Sequence, residues 1–213
     1  MSIVCYHARV DEIMLDALQA DPDLFWKLPQ IADTAGAQLL FTDKDWSALC
    51  WLLSPKAREE QKHLVVEFTV NFDRTDEDRC GGHAGWEAAK AREAAKRGVQ
   101  LVETESMPDE PALTAIHGRG PRDSRFEQIG FGARTFVPAE VADLSAALDR
   151  ITDADLREHF DPEVMESLDV AGIRWTEEEP DVLDAILIPV FDRIRIFYRL
   201  ASQARQHVLA VIT

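Results

Sequence analysis

His207-Val208-Leu209-Ala210-Val211-Ile212 is apolar from its second residue onward. A strand with one face in water alternates apolar and polar residues. An unbroken run like this one predicts a strand covered on both faces, in the middle of its sheet. Upstream of it, Leu183, Ile186, Leu187, Val190, Ile194, Phe197, Tyr198 and Ala201 recur every three or four residues. That period predicts a long amphipathic helix opened by Pro180, and Pro189 inside it predicts a kink or a break.

The same logic carries back along the chain. Pro138 opens a helix with Val141, Leu144, Leu148 and Ile151 on one face. Thr152-Asp-Ala-Asp155 reads as a capping box, and Asp161-Pro162 opens a further helix. Residues 106–134, rich in Pro and Gly, read as a long loop with short ordered pieces. Val66, Phe68, Val70 and Phe72 alternate with Glu67, Thr69 and Asn71, which predicts a strand over 64–72. An Ala-rich helix over 86–97, stopped by Gly98, and a strand over 99–103 follow it.

Nearer the N-terminus, Trp46, Leu49, Cys50, Leu52 and Leu53 predict a helix capped by Thr42 or Asp43 and stopped at Ser54-Pro55. Asp21-Pro22 opens a short helix that Pro29 ends, Asp11 caps another, and residues 3–10 read as the first strand. Helices outnumber strands and do not strictly alternate with them. The expected class is α+β, helix-rich, with a small mixed sheet that includes the first and last strands.

The chain has 213 residues, 46% of them hydrophobic, enough for one domain with a sizeable core. No apolar run approaches the roughly 20 residues needed to span a bilayer, and residues 1–7 lack a basic segment followed by an apolar one. The expected location is the cytoplasm. A net charge of -16 repels phosphate backbones and anionic lipid, which excludes nucleic-acid and membrane partners. Residues 135–184 hold 15 acids against 3 bases, a face suited to a basic protein partner. Cys5, Cys50 and Cys80 are too few and too widely spaced for a disulfide framework. Cys80-Gly81-Gly82-His83 is half a zinc site without a second half, so neither metal nor cofactor is expected.

Several segments resemble a bacterial family in their order and spacing. They are Thr42-Asp-Lys-Asp-Trp46-Ser-Ala-Leu49-Cys-Trp-Leu-Leu-Ser54, Gly130-Phe-Gly-Ala-Arg134-Thr-Phe-Val-Pro138-Ala-Glu-Val141, Asp155-Leu-Arg-Glu-His-Phe-Asp161-Pro162-Glu163, Ile173-Arg-Trp175 and Phe197-Tyr198-Arg-Leu-Ala201. Together they are similar to the YfbM-like family over residues 3–54 and 110–213. The resemblance implies a single domain and brings no assigned activity or catalytic residues. Cys50 stands where that family often has a histidine. Residues 56–108 look like an expanded segment, expected to be a strand–helix–strand insertion.

Four groups of residues are candidates for chemistry. Arg119, Arg122, Arg125 and Arg134 offer guanidinium forks to an anionic ligand, unless the protein's own acids occupy them. Trp46 and Trp175 are the tryptophans most suited to line a cleft; aromatics at helical spacing otherwise form core. Gly81, Gly82 and Gly85 before a helix, with Glu103 and Glu105 about 20 residues on, partly echo a dinucleotide fingerprint. The acidic loop before them opposes phosphate. The six histidines show no i, i+4 pair and no nucleophile turn. The expected function is a non-enzymatic binding or protein-interaction module with an acidic surface; the alternative is a small-molecule binder or enzyme with an arginine-lined anion site.

Overall fold

The computed structural model describes residues 4–35, 38–73, 75 and 82–213. Strand β1 (Cys5–Val10) leads into α1 (Glu12–Ala20), where the Asp11 carboxylate accepts the Met14 N–H at 2.8 Å. Then come α2 (Leu24–Ala35), β2 (Gln38–Phe41), α3 (Asp45–Leu53), α4 (Pro55–Asp73), α5 (Gly82–Arg97) and α6 (Pro111–His117). A 3-10 turn at Ser124–Phe126 precedes β3 (Ala133–Phe136) and α7 (Pro138–Leu148). The rest is α8 (Asp153–Glu158), α9 (Pro162–Ser167), a π turn (Leu183–Leu187), α10 (Ile188–Gln203) and β4 (His207–Ile212). No helix among the described residues is long and apolar enough to cross a membrane.

The fold is α+β, and its sheet has the order β2-β1-β4-β3. The N- and C-terminal strands are thus the central pair, with Cys5 opposite Ile212 and Val10 opposite His207. The sheet is antiparallel throughout, not mixed. The connection from β1 runs through two helices and brings the chain back beside the end of β1, with Gln38 opposite Arg9.

Why β4 is apolar throughout is visible in its surroundings. Leu209 and Val211 pack with Leu15, Leu18, Phe25, Phe126 and Ile129 on one face. Val208 and Ala210 pack with Phe136, Val141, Ile194 and Phe197 on the other. Burying one such side chain contributes about 1.5–3 kcal/mol, so neither face tolerates a polar residue cheaply.

Four local expectations are corrected. The run over 64–72 is helical, part of α4. Residues 55–63 carry helix-forming Lys, Ala, Arg, Glu and Gln, and helix propagation is cooperative once such a turn exists. Val66 and Val70 then lie one turn apart and pack on Ala89 and Ala94 of α5, while Leu64, Phe68 and Phe72 stand exposed. Residues 99–103 form no strand; they run along the α4–α5 pair, with Val99 and Leu101 against its small core and the Val102 carbonyl accepting from His63 Nε2 at 2.8 Å. The 56–108 segment is therefore a helical hairpin and not strand–helix–strand.

Helix α2 continues through Pro29, anchored by fully buried Phe25 and Leu28. Lys44, not Thr42 or Asp43, occupies the N-cap of α3. Thr42 is buried and its hydroxyl donates to the Cys5 carbonyl at 3.3 Å, which ties it to the sheet.

Pro189 sits at the start of α10, directly after the π turn, where the Ile188 N–H bonds the Leu183 carbonyl. Widening the ladder by one residue lets the chain pass a proline that has no N–H to give. The helix therefore changes pitch where a kink was expected.

Candidate functional site

A groove of about 720 Å³ lies where the α4–α5 hairpin meets the main body. One wall is α4, with Glu60, Leu64 and Phe68 facing in. The other is the first two turns of α3 with Trp46, Cys50 and Trp51, joined by Leu113 and His117 of α6 and by Arg119. Its lip is the turn at Asp169, Ala171 and Gly172, beside Lys44.

The sequence builds each wall for a local reason. Ser54 ends α3 and starts α4: its Oγ accepts the Ala57 N–H at 3.0 Å and donates to Glu110 Oε2 at 2.6 Å. Arg58 Nη1 donates to the last carbonyls of α3, on Trp51 and Leu52, at 2.9 and 3.1 Å. Both contacts fix the angle at which α4 leaves α3. Gly118, with φ +68, ends α6 in the left-handed conformation and turns Arg119 back toward α4. There Arg119 pairs with Glu60.

The lip is strained. Asp169 and Ala171 hold φ of 50° and 60°, a region costly for residues with a Cβ. Trp175 secures it from beneath: its Nε1 donates to the Val170 carbonyl at 2.8 Å, and its ring meets Phe160 edge-on at 6.2 Å. Asp43, with φ 35°, lies just before the α3 wall.

Several polar groups of the groove are held in uncharged or paired states; Lys44 is not among them. His117 stacks on Trp46 with ring centroids 4.9 Å apart. Burial, then the fields of Arg119 and Arg122, lower its pKa to about 4, so the ring is neutral at pH 7. Burial raises the Cys50 thiol well above the usual thiol range, so it is no thiolate nucleophile. Three nitrogens sealed in the walls, Trp51 Nε1, His117 Nδ1 and Arg119 Nε, have no hydrogen-bond partner among the described residues.

The anticipated residues are dispersed. Trp46 and Arg119 come together in this groove. Arg125 instead grips Asp123 with two nitrogens at 3.0 and 2.7 Å, holding that carboxyl down at about 2. Arg134 lies over the Phe136 ring at 4.7 Å and pairs with Glu140 of α7 at 3.4 Å. Arg122 is exposed and runs along Gly132. Trp175 is core, 2% exposed. Of the glycine loop, Gly81 lies outside the described residues, as does Cys80 of the half zinc site; Gly82 opens α5 with φ +58.

Lys44 and Phe68 escaped the sequence reading as site residues, while Trp51 and His117 were grouped with the other tryptophans and histidines and not singled out. Only Phe68 carried a usable signal, the i, i+4, i+8 spacing of Leu64, Phe68 and Phe72.

A family model described as a domain of unknown function, DUF1877, matches residues 97–211. That span includes the α6 and lip sides of the groove and excludes α3 and α4. No curated protein matches the chain. Among solved structures, the chain is similar to a protein of unknown function, YfbM, from Escherichia coli. The TM-score is 0.56, with 16% sequence identity over 99% of each chain. At that identity the likeness is one of fold.

Proposed function

This chain belongs to the DUF1877 family, a domain of unknown function, and from that premise, which carries no activity with it, we propose a non-enzymatic binding module whose site is the groove between α3, α4 and α6. One observation carries the reading. The groove combines an aromatic lining with three of the eight buried side-chain N or O atoms left unpaired among the described residues. A finished core leaves few such atoms, because each costs about 1–3 kcal/mol. Ligand sites are concave and mostly apolar, about 300–1,000 Å³, with a few polar groups in the wall.

Binding fits better than turnover because the reactive side chains are quenched. The Cys50 thiol keeps its proton, and His117, held down at about 4, is only a weak base and no imidazolium acid at pH 7. The reading of a basic protein partner rests on the charge of residues 135–184. Several of those acids are already spent on ion pairs, Asp149 with Arg199 and Asp184 with Arg157 among them.

The test is a titration of the isotope-labelled chain with naphthalene-2-carboxamide, a neutral apolar probe. Indole N–H signals of Trp46 and Trp51 should shift in a saturable way, and Phe68→Ser should abolish the shift. Saturable shifts elsewhere with these two indoles unmoved, or no shifts at all, would remove the groove as the site.

A further inference from the structure

Resting on the groove being a binding site, we propose that its ligand is an apolar monocarboxylate. The carboxylate pairs with Lys44 and competes for Arg119, and the hydrocarbon lies against Trp46, Leu64 and Phe68.

The charges argue for an anion. In a chain of net charge -16, this groove is bordered by three cations, Lys44, Arg97 and Arg119, and two carboxylates, Glu60 and Asp169. Arg97 is committed to Glu93, to Thr69 Oγ1 and to the Ser167 carbonyl. Arg119 is shared with Glu60. Lys44 has no ion pair among the described residues, and its ammonium lies about where a side chain at Gly172 would point, 4.0 Å away.

The field at His117 has the same sign. Arg119 and Arg122 both disfavour a proton on that ring, and only Asp109 among the carboxylates acts against them. A single spare cation matches a monoanion better than a phosphate with nearly two charges.

A carboxylate here would compete with Glu60 for Arg119. That competition yields a signature that simple damage to the fold does not. Naphthalene-2-carboxylate and naphthalene-2-carboxamide share a shape and differ in charge. Calorimetry at 0.15 M salt, where the protein's overall negative field is screened beyond about 8 Å, should find the carboxylate about tenfold tighter.

Glu60→Gln should tighten the carboxylate further and leave the carboxamide unchanged. Lys44→Gln should erase the preference and retain carboxamide binding. If the carboxamide binds at the Trp46 and Trp51 indoles and the carboxylate is no tighter, the carboxylate assignment fails and the groove stands. If the preference survives Lys44→Gln and does not rise in Glu60→Gln, the placement of the head group is wrong and the proposal falls. If neither compound binds, the groove reading fails with it.

Discussion

His7 and Tyr198 meet on one acceptor: the His7 Nε2–H and the Tyr198 hydroxyl both donate to the Ala115 carbonyl, at 2.9 and 2.8 Å. One comes from β1 and the other from α10, and α6 supplies the oxygen between them. The bond fixes the histidine tautomer and leaves Nδ1 without a hydrogen-bond partner among the described residues. Cys5 joins from the same strand, its thiol donating to the Ile116 carbonyl at 3.4 Å and pushed up to about 12 by burial. The centre of the molecule is thus a neutral polar knot that locks sheet, α6 and α10 together.

That knot makes stability depend on pH. Burial lowers the His7 pKa from 6.5 to about 4. Above 6.5 the imidazole is neutral in both folded and unfolded chains, and its contribution is fully present. As pH falls from 6.5 toward 4, the unfolded chain takes up a proton that the folded chain refuses, so stability is lost. The slope contribution reaches about 1.4 kcal/mol per pH unit. Urea titrations of wild type and His7→Gln across pH 4–7 should differ in slope in that direction. Parallel curves would show that His7 is not held neutral. His117 adds a loss of the same sign.

Ser54 ties two helices and Glu110 through one hydroxyl. Ser54→Ala removes the cap of α4 and leaves Glu110 without that donor, and should cost about 1–2 kcal/mol. Denaturant unfolding measures it, and a cost below about 0.5 kcal/mol, the range of ordinary surface changes, would contradict this role.

Gly120 has φ +118, and a Cβ built on it would fall 1.2 Å from the Arg134 guanidinium. Gly120→Ala must both strain the backbone and push Arg134 off Phe136 and Glu140. A cost of about 2 kcal/mol is expected. In an Arg134→Ala background the steric part vanishes, so the two substitutions should be less than additive. Additive costs would show that Arg134 does not fill that space.

Phe68 is 63% exposed, so Phe68→Ser should change folding stability by no more than about 0.5 kcal/mol. Its effect should fall on ligand binding. Thermal unfolding and probe titration on the same variant separate the two, and a large loss of stability would mark Phe68 as structural.

Much of this fold was legible from local pattern. The apolar run 208–212 read correctly as a central strand because burial on both faces leaves its mark on every residue. The helix starts at Asp11, Thr152 and Asp161 read correctly because one carboxylate serves one nearby N–H, that of Asp155 accepting from Thr152 in the second case. Segment 64–72 misled because a period-2 reading of 66, 68, 70 and 72 and a period-4 reading of 64, 68 and 72 share Phe68 and Phe72. Only its packing on α5, distant in sequence, decides between them. The groove was barely legible for a similar reason. Trp46 and Arg119 could be named as candidates, but what joins them is the angle between α3 and α4 and a turn at 169–172, which no local spacing encodes.

The pairing of β1 with β4 has a consequence for how the protein is made. The first strand leaves the ribosome roughly two hundred residues before the strand that completes its second edge, and contacts so distant in sequence form late. In the interval β1 has β2 as a local partner and one unpaired edge, the kind of surface that invites association with other chains. Holdase chaperones should therefore engage the nascent chain while β1 waits, and release it once α10 delivers β4.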